Sequence, residues 1–162
     1  MTLVAQIEGA FGVAPVPKEP LVEPVYLDPA NQGDEGATEC FSGKSWTSLD
    51  VDMLRYHSIA LYMFTPEVHR YYLPAFMIAS LEQPTKADVI PLNIVHHLSM
   101  YKEPYWWERV RALSPLQCAV VSDFVRAVTE EHTDQNMVNA ALAGLSQAAQ
   151  TPNTSLERTR EG

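Results

Sequence analysis

Two histidines and two arginines are the residues of this chain best suited to polar chemistry. Arg55 precedes His57 by two positions, and His69 and Arg70 follow as neighbours further along. An imidazole can act as a general base near neutral pH, and a guanidinium group matches the geometry of carboxylate and phosphate. The pattern therefore predicts a binding site for a small anion, completed by the ring of Tyr71, which follows directly.

Two consecutive helices are predicted to position these residues. Residues 49–64 carry apolar side chains at helical spacing, and residues 66–81 begin with a proline, which suits the first helical position. Thr65 offers its hydroxyl as the N-cap of the second helix. Antiparallel packing across the tight turn would bring His57 and His69 within about two helical turns of one another. The site is therefore expected at a polar rim of the core.

Two other interpretations of the same residues compete with a binding site. In the first, Arg55 pairs with a local acid such as Asp52. Arg70 pairs in the same way with Glu67, and the histidines fill edges of the core. In the second, the chain is a small enzyme in which one of the two imidazoles is a general base and the arginines hold an anionic substrate. The sequence leaves these alternatives open, and we assign no catalytic residue.

The second helix is also predicted to be the centre of the core. From Tyr71 to Ala79 it contains no charged residue, and a helix that is apolar all round is buried. Pro74 lies inside it and cannot donate a hydrogen bond to the carbonyl of Arg70, four residues earlier. We therefore expect a kink, with the first turn forming the polar rim.

Other reactive residue types lack the spacing that their chemistry needs. His96 and His97 are adjacent, so on a helix they point about 100° apart and chelate one metal poorly. Cys40 and Cys118 have no C-x-x-C spacing and are interpreted as free thiols. Neither a glycine-rich phosphate loop nor a G-x-S-x-G motif occurs. We therefore predict no metal and no cofactor.

The charge balance narrows the class of partner. The 162 residues carry a formal net charge of −9, and residues 1–52 hold nine acids against two lysines. Such a balance argues against a nucleic acid as partner. It indicates either an acidic surface for a basic partner or a solvated face. No signal peptide and no apolar run long enough to span a bilayer occurs, so we expect a cytoplasmic protein without a membrane partner.

The overall pattern predicts a mostly α protein, because no segment alternates with period two. We expect a compact single-domain helical bundle with a Pro-rich extended N-terminal arm. The one domain divides into a helix over residues 1–12, the arm over 13–30, a helical core over 31–150 and a disordered tail over 151–162. Further core helices are predicted over residues 35–41, 87–99 with an interruption near Pro91, 104–113, 115–131 and 137–150.

The arm and several aromatic residues predict an interface. Five prolines in residues 13–29 favour an extended conformation. The arm is expected to bury its apolar side chains along the body or along a second subunit; they are Val22, Val25, Tyr26 and Leu27. Trp106 and Trp107 cannot both face one core from one helix, and an exposed tryptophan often marks an interface. We predict a homodimer, with interface residues Tyr26, Trp46, Trp106 and Trp107.

A set of motifs adds a family resemblance. They are Trp46, Leu54-Arg55-Tyr56-His57, Thr65-Pro66-Glu67, Arg70-Tyr71-Tyr72-Leu73-Pro74-Ala75-Phe76-Met77 and Ala87-Asp88-Val89-Ile90-Pro91. Over roughly residues 3–130 the chain resembles a family of small uncharacterised bacterial proteins with the signature W…LRYH…TPE.FRYYLPAFM. That pattern has an aromatic residue where this chain has His69. The resemblance therefore implies no role for His69, and it implies no activity.

The C-terminal tail carries a second resemblance. Residues 151–160 resemble a reading frame that runs into the recombination site of an integron gene cassette. The resemblance implies a mobile accessory gene in a bacterium, and a tail selected as DNA rather than as protein. The polar composition of these residues is typical of disorder. From all these features we expect a non-catalytic accessory protein that binds a small ligand or another protein.

Overall fold

The computed structural model describes residues 1–28, 30 and 33–151. Of these residues, 67% are helical, and none of them forms a strand, which confirms the prediction of a mostly α helical bundle. The predicted disordered tail, apart from Thr151, lies outside the described residues. In chain order the α-helices are α1 (Leu3–Phe11), α2 (Ala37–Phe41), α3 (Val51–Tyr56), α4 (Ala60–Met63), α5 (Pro66–Glu82), α6 (Pro84–Ala87), α7 (Ile90–Ser99), α8 (Pro104–Val110), α9 (Pro115–Val128) and α10 (Gln135–Gln150).

These helices fall into two compact units. Among the described residues, the central unit comprises those in 12–91, and the terminal unit comprises residues 1–11 together with 92–151. Two short 3₁₀ helices, Pro24–Leu27 and Trp46–Ser48, also belong to the central unit. That the whole chain is one domain stays a prediction.

The core of the central unit is built on α5. As predicted, this helix is buried along most of its length, and Pro74 lies inside it. Its Tyr72 and Phe76 rings pack against the ring of Phe41 from α2, at centroid distances of 5.0 and 6.2 Å. The Tyr72 hydroxyl lies 2.7 Å from the Phe41 carbonyl oxygen and 2.8 Å from that of Lys44, and it donates to them. The segment after α2 is thereby fixed to the core helix.

The arm joins this core by backbone pairing. Val22 forms an antiparallel bridge with Phe64, the Glu23 N–H donates to the Met63 carbonyl at 2.9 Å, and the Thr65 N–H donates to Leu21 at 3.0 Å. Leu21 and Val22 are fully buried. Val25 and Leu27 are half exposed within the chain, because the backbone turns into a 3₁₀ helix after Glu23. Their burial along a second subunit stays a prediction.

The single helix predicted over residues 49–64 is also wrong, since the chain breaks between α3 and α4. His57 leaves the helical conformation at φ −103° and ψ 33°. The N–H groups of Ser58, Ala60 and Tyr62 then donate to carbonyls three residues earlier. Ile59, in the turn between the two helices, and Tyr62, in α4, are both exposed.

The terminal unit is organised around α9, which packs against α1 and α10. Ser114 and Gln117 form a capping box at its start, with hydrogen bonds of 3.0 and 3.1 Å. The same Gln117 amide donates to the carbonyl of Ala10 at the end of α1, at 3.3 Å. The helix ends at Val128 rather than near Glu131.

Candidate functional site

His57, the first candidate general base, lies at the C-terminal end of α3 and is only 8% exposed. Its ring meets the edge of Phe41 at a centroid distance of 6.1 Å and that of Tyr56 at 4.9 Å. On another side lies the turn before α2, where a Cβ added to Gly36 would come within 3.9 Å of the ring carbon Cε1. The imidazole is thus packed among aromatic rings and backbone.

Asp34 holds the turn that covers His57. Its carboxylate accepts hydrogen bonds from the N–H groups of Gly36 and Thr38, at 3.0 and 2.9 Å. Burial acts to raise the pKa of Asp34, but these bonds and that of the Thr38 side chain outweigh it and hold the pKa below its usual value. Asp34 is therefore a charged cap of the turn.

His69, the second candidate base, lies in the first turn of α5 and is 3% exposed. Its backbone N–H donates to the carbonyl of Thr65 at 2.8 Å. The neighbouring Tyr71 ring is buried as well, and it meets the Tyr72 ring edge-on at 4.8 Å. Two of the predicted ligand-binding side chains in this turn are therefore part of the core, while Arg70 between them is half-buried.

Arg55 is the member of the predicted site with the most exposed side chain. Its guanidinium forms an ion pair with the Asp88 carboxylate at 3.1 Å, and both side chains are about half exposed. The sequence suggested Asp52 as the acid, but the partner comes instead from the connection between α6 and α7. A pair this exposed contributes about 0–1 kcal/mol. The Arg55 guanidinium is therefore already paired with a carboxylate, which makes it less available to bind an anionic ligand.

The chemistry of these residues follows from their burial. A general base must come within hydrogen-bond distance of the proton that it removes, so a substrate has to reach its ring. The rings of His57 and His69 present almost no surface to solvent. The arrangement therefore suits packing better than proton transfer.

The four predicted interface residues also differ in how far they are buried. Trp46 and Trp106 are buried, whereas Tyr26 and Trp107 are half-buried. Trp107 packs at 6.5 Å from the ring of Tyr101. Tyr26 and Trp107 are thus the members with surface left to offer, and their role in an interface stays a prediction.

Sequence reasoning missed a basic and aromatic cluster in the terminal unit. Arg109, 1% exposed, places its guanidinium 3.6 Å from the centre of the Tyr105 ring and donates to the Tyr105 carbonyl at 2.6 Å. The guanidinium also lies 5.8 Å from the centre of the Trp106 ring, which stacks on the ring of His97 at 4.6 Å. The spacing of Arg109 four residues after Tyr105 on a predicted helix was the available signal.

The titration of this cluster and of the thiols limits the chemistry available. Burial, with a smaller contribution from the charge of His96, lowers the pKa of His97 to about 4. His97 is therefore neutral at physiological pH. Burial likewise raises the pKa of Cys118 to about 11, so this thiol is not an activated nucleophile. Cys40 is a free, half-buried cysteine.

The described residues offer neither a cluster of metal ligands nor a helix that could cross a membrane. No group of three or more His, Cys, Asp or Glu side chains in that part of the chain is arranged to hold a metal ion. None of the helices described there is both long and apolar enough to cross a membrane.

The most exposed aromatic side chain among the described large apolar residues is that of Tyr56, at 83%. Ile59 and Tyr62 follow it at intervals of three residues and are 45% and 41% exposed. In contrast to the buried histidines, these apolar side chains are exposed to solvent.

A family model described as "Family of unknown function (DUF6714)" matches residues 25–150. No curated protein and no solved structure matches the chain.

Proposed function

We propose that this chain, which belongs to the DUF6714 family of unknown function, is a non-catalytic binding protein that acts as a homodimer and binds a small ligand or a further protein. One contrast carries the proposal. The imidazoles that would do chemistry are buried, at 8% and 3% exposure, while aromatic surface is exposed at Tyr56. Exposed aromatic surface is typical of an interaction site.

The cellular setting is proposed from the sequence. The resemblance of residues 151–160 to the end of an integron cassette supports an accessory gene carried by bacteria. The two cysteines, which lack the spacing of a disulfide framework, support a location in a reducing cytoplasm. The excess of acids supports partners other than nucleic acids. An enzyme using His57 or His69 is the weaker alternative, because a substrate would have to displace packed core to reach either ring.

Light scattering over a range of protein concentrations tests the dimer. We expect a mass approaching twice the 18.1 kDa of one chain as concentration rises. A mass that stays at one chain throughout would refute the homodimer.

A thermal-shift screen tests ligand binding separately. A ligand that binds only the native state stabilises it by about 2.7 kcal/mol at a concentration one hundred times its Kd, so the midpoint rises. Small carboxylates and phosphates are the first compounds to screen, with Arg55→Ala as the comparison variant. A midpoint that rises equally in both proteins would show that Arg55 takes no part in binding.

A further inference from the structure

Helix α1 depends on α9 for its stability. It has 9 residues, and isolated helices shorter than about 12–15 residues are marginal in water. It packs on α9, its Ile7 side chain is fully buried, and the Gln117 amide of α9 donates to the Ala10 carbonyl at 3.3 Å. Glu8 and Gly9 are exposed to solvent. Helix α1 is therefore amphipathic, and it is stable where an α9 is present to bind its apolar side.

Residues 13–20, which we call the tether, join α1 to the part of the arm that is fixed by pairing. That part begins at Leu21, whose carbonyl accepts a hydrogen bond from the Thr65 N–H at 3.0 Å. No hydrogen bond found among the described residues involves the tether. Most of the tether residues are exposed; they are Val13, Pro15, Lys18, Glu19 and Pro20. The tether can therefore take another course without the loss of a hydrogen bond.

The tether is extended and stiff. Residues 14–18 form neither a helix nor a turn. Pro15, Pro17 and Pro20 each fix φ at about −65° and favour an extended conformation for the preceding residue. A polyproline segment advances about 3.1 Å per residue and acts as a semi-rigid spacer, so a tether of this length spans roughly 25 Å. Such a segment folds back on its own chain less freely than a flexible loop does.

The same contacts between α1 and α9 can serve a monomer and a dimer. In the structure, α1 binds α9 of its own chain, which is the closed form. In an exchanged dimer each α1 binds α9 of the other copy, and every contact between the two helices is kept. The two forms therefore differ in the course of the tether and in the cost of association. A short, stiff hinge shifts this balance toward exchange.

We infer that two copies of this chain exchange α1, so that residues 3–11 of each copy bind α9 of the other. Each copy gives one helix and receives one, as an isologous dimer requires. The dimer needs no new complementary surface, because the interface already exists within one chain. The inference rests on the proposed homodimer and names its surface.

Variants of tether length test the exchange by light scattering. Deletion of residues 14–17 removes roughly 12 Å of extended chain, so closure on the same chain becomes strained. The Kd of the dimer should fall about tenfold. A flexible Gly/Ser segment of about eight residues, inserted between Ala14 and Pro15, makes closure easier and should raise the Kd about tenfold.

The matched control for the insertion carries the same Gly/Ser segment before Met1, outside the tether. Its Kd should equal that of the wild type, because the path from α1 to Leu21 is unchanged. A Kd that stays at the wild-type value in both tether variants, or that moves in the same direction in both, would overturn the exchange. Circular dichroism checks that each variant is folded.

Isotope-resolved cross-linking shows directly which chain supplies α1. The full chain is made with a photoreactive phenylalanine derivative at position 11, once unlabelled and once ¹⁵N-labelled. Equal amounts are mixed, unfolded in urea and refolded together at high concentration, and the dimer fraction is isolated and irradiated. We expect cross-links from position 11 to α9 that join labelled to unlabelled chains. Cross-links to α9 that stay within one chain, or cross-links to other elements alone, would overturn the inference.

The outcomes separate the two proposals. A wild-type chain that is monomeric throughout, also after refolding at high concentration, removes the homodimer and the exchange together. A stable dimer in which the cross-links from position 11 to α9 stay within one chain removes only the exchange.

Discussion

The two units of this chain bury their polar side chains by different means. In the central unit, Tyr72 on the core helix donates to the carbonyls of Phe41 and Lys44, about thirty residues earlier in the sequence. In the terminal unit, Arg109 stacks on the ring of Tyr105, a residue of its own short helix. Long-range hydrogen bonds fix loops in the first unit, and local stacking holds a cation in the second. The comparison predicts that the two units respond to different perturbations.

The largest effect is expected at Arg109. Arg109→Ala removes a buried side chain and its stacking on Tyr105, so it should lower the free energy of unfolding by about 3 kcal/mol. Arg109→Met keeps most of the volume without the charge and should cost clearly less. Urea unfolding of both variants measures the difference. Equal losses would show that the charge, rather than packing, stabilises the terminal unit.

A substitution at Gly144 tests the packing of the terminal unit at a second place, against Tyr101. A Cβ at this position would lie 2.8 Å from the Cβ of Tyr101 and closer still to its ring, near the root of a side chain that cannot easily move away. Gly144→Ala should therefore cost about 2 kcal/mol. Gly9→Ala in α1 is the control, because nothing lies within 4 Å and alanine favours a helix. Thermal unfolding should show opposite shifts, and a stabilised Gly144→Ala would contradict the tight contact.

Tyr72 tests the central unit. Tyr72→Phe removes the hydroxyl that donates to the carbonyls of Phe41 and Lys44 and should cost about 1–2 kcal/mol, although the Lys44 N–H still donates to the Phe41 carbonyl. Burial, with a smaller contribution from Tyr71, raises the pKa of Tyr72 from 10.0 to about 12. Its contribution to stability is therefore complete below pH 10 and is lost as pH rises through 12.

Comparison of wild type with Tyr72→Phe isolates this alkaline effect, because Cys118 titrates in the same direction in both proteins. The difference in unfolding free energy between the two should shrink as pH rises above 10. A difference that stays constant to pH 12 would rule out the hydroxyl as its source.

His97 is expected to make the terminal unit less stable as pH falls, whereas Tyr72 makes the central unit less stable as pH rises. Its pKa falls from 6.5 to about 4 on folding, so the unfolded chain binds a proton at a pH where the native chain does not. The native state is therefore expected to lose about 1 kcal/mol between pH 7 and pH 5.5 through this group. His97→Phe should flatten the stability profile in this range. An unchanged slope would show that His97 keeps an ordinary pKa in the fold.

The smallest effect is expected at the surface of the central unit. Arg55→Ala breaks the exposed ion pair with Asp88 and should cost about 0.5 kcal/mol at low salt and less at high salt. A double-mutant cycle with Asp88→Ala measures the pair alone. A coupling energy of several kcal/mol would mean that Arg55 is held far more firmly than its exposure indicates.

Local sequence signals were sufficient to predict the helices that begin with a capping residue followed by proline. Pro66 begins the core helix as expected, and Pro115 begins the helix predicted from residue 115, with Ser114 and Gln117 as its capping box. These signals act within one helical turn. The break at His57 was not predictable from spacing. The apolar residues on both sides of it fit a helix. The arm pairs with residues 63–65 at the end of α4, and such a tertiary contact is not visible in local spacing either.

The candidate site was harder to predict than the fold, for a physical reason. Residue type indicates what an imidazole or guanidinium can do, but burial decides whether anything reaches it. His57 and Arg55 are two positions apart, yet one is packed against Phe41 and the other is half exposed. Arg109 was missed because it stacks on an aromatic ring, and a search for pairs of opposite charge passes over such a contact.

The packing of α1 on α9 has a consequence for the order of events during synthesis. Residues 3–11 leave the ribosome first, but the surface that they bury against is made about a hundred residues later. At about 5–20 residues per second this is a delay of roughly 5–20 s. During that time the central unit can form its own core, while the first helix waits without a partner and exposes Ile7. The earliest part of the chain is therefore among the last to dock.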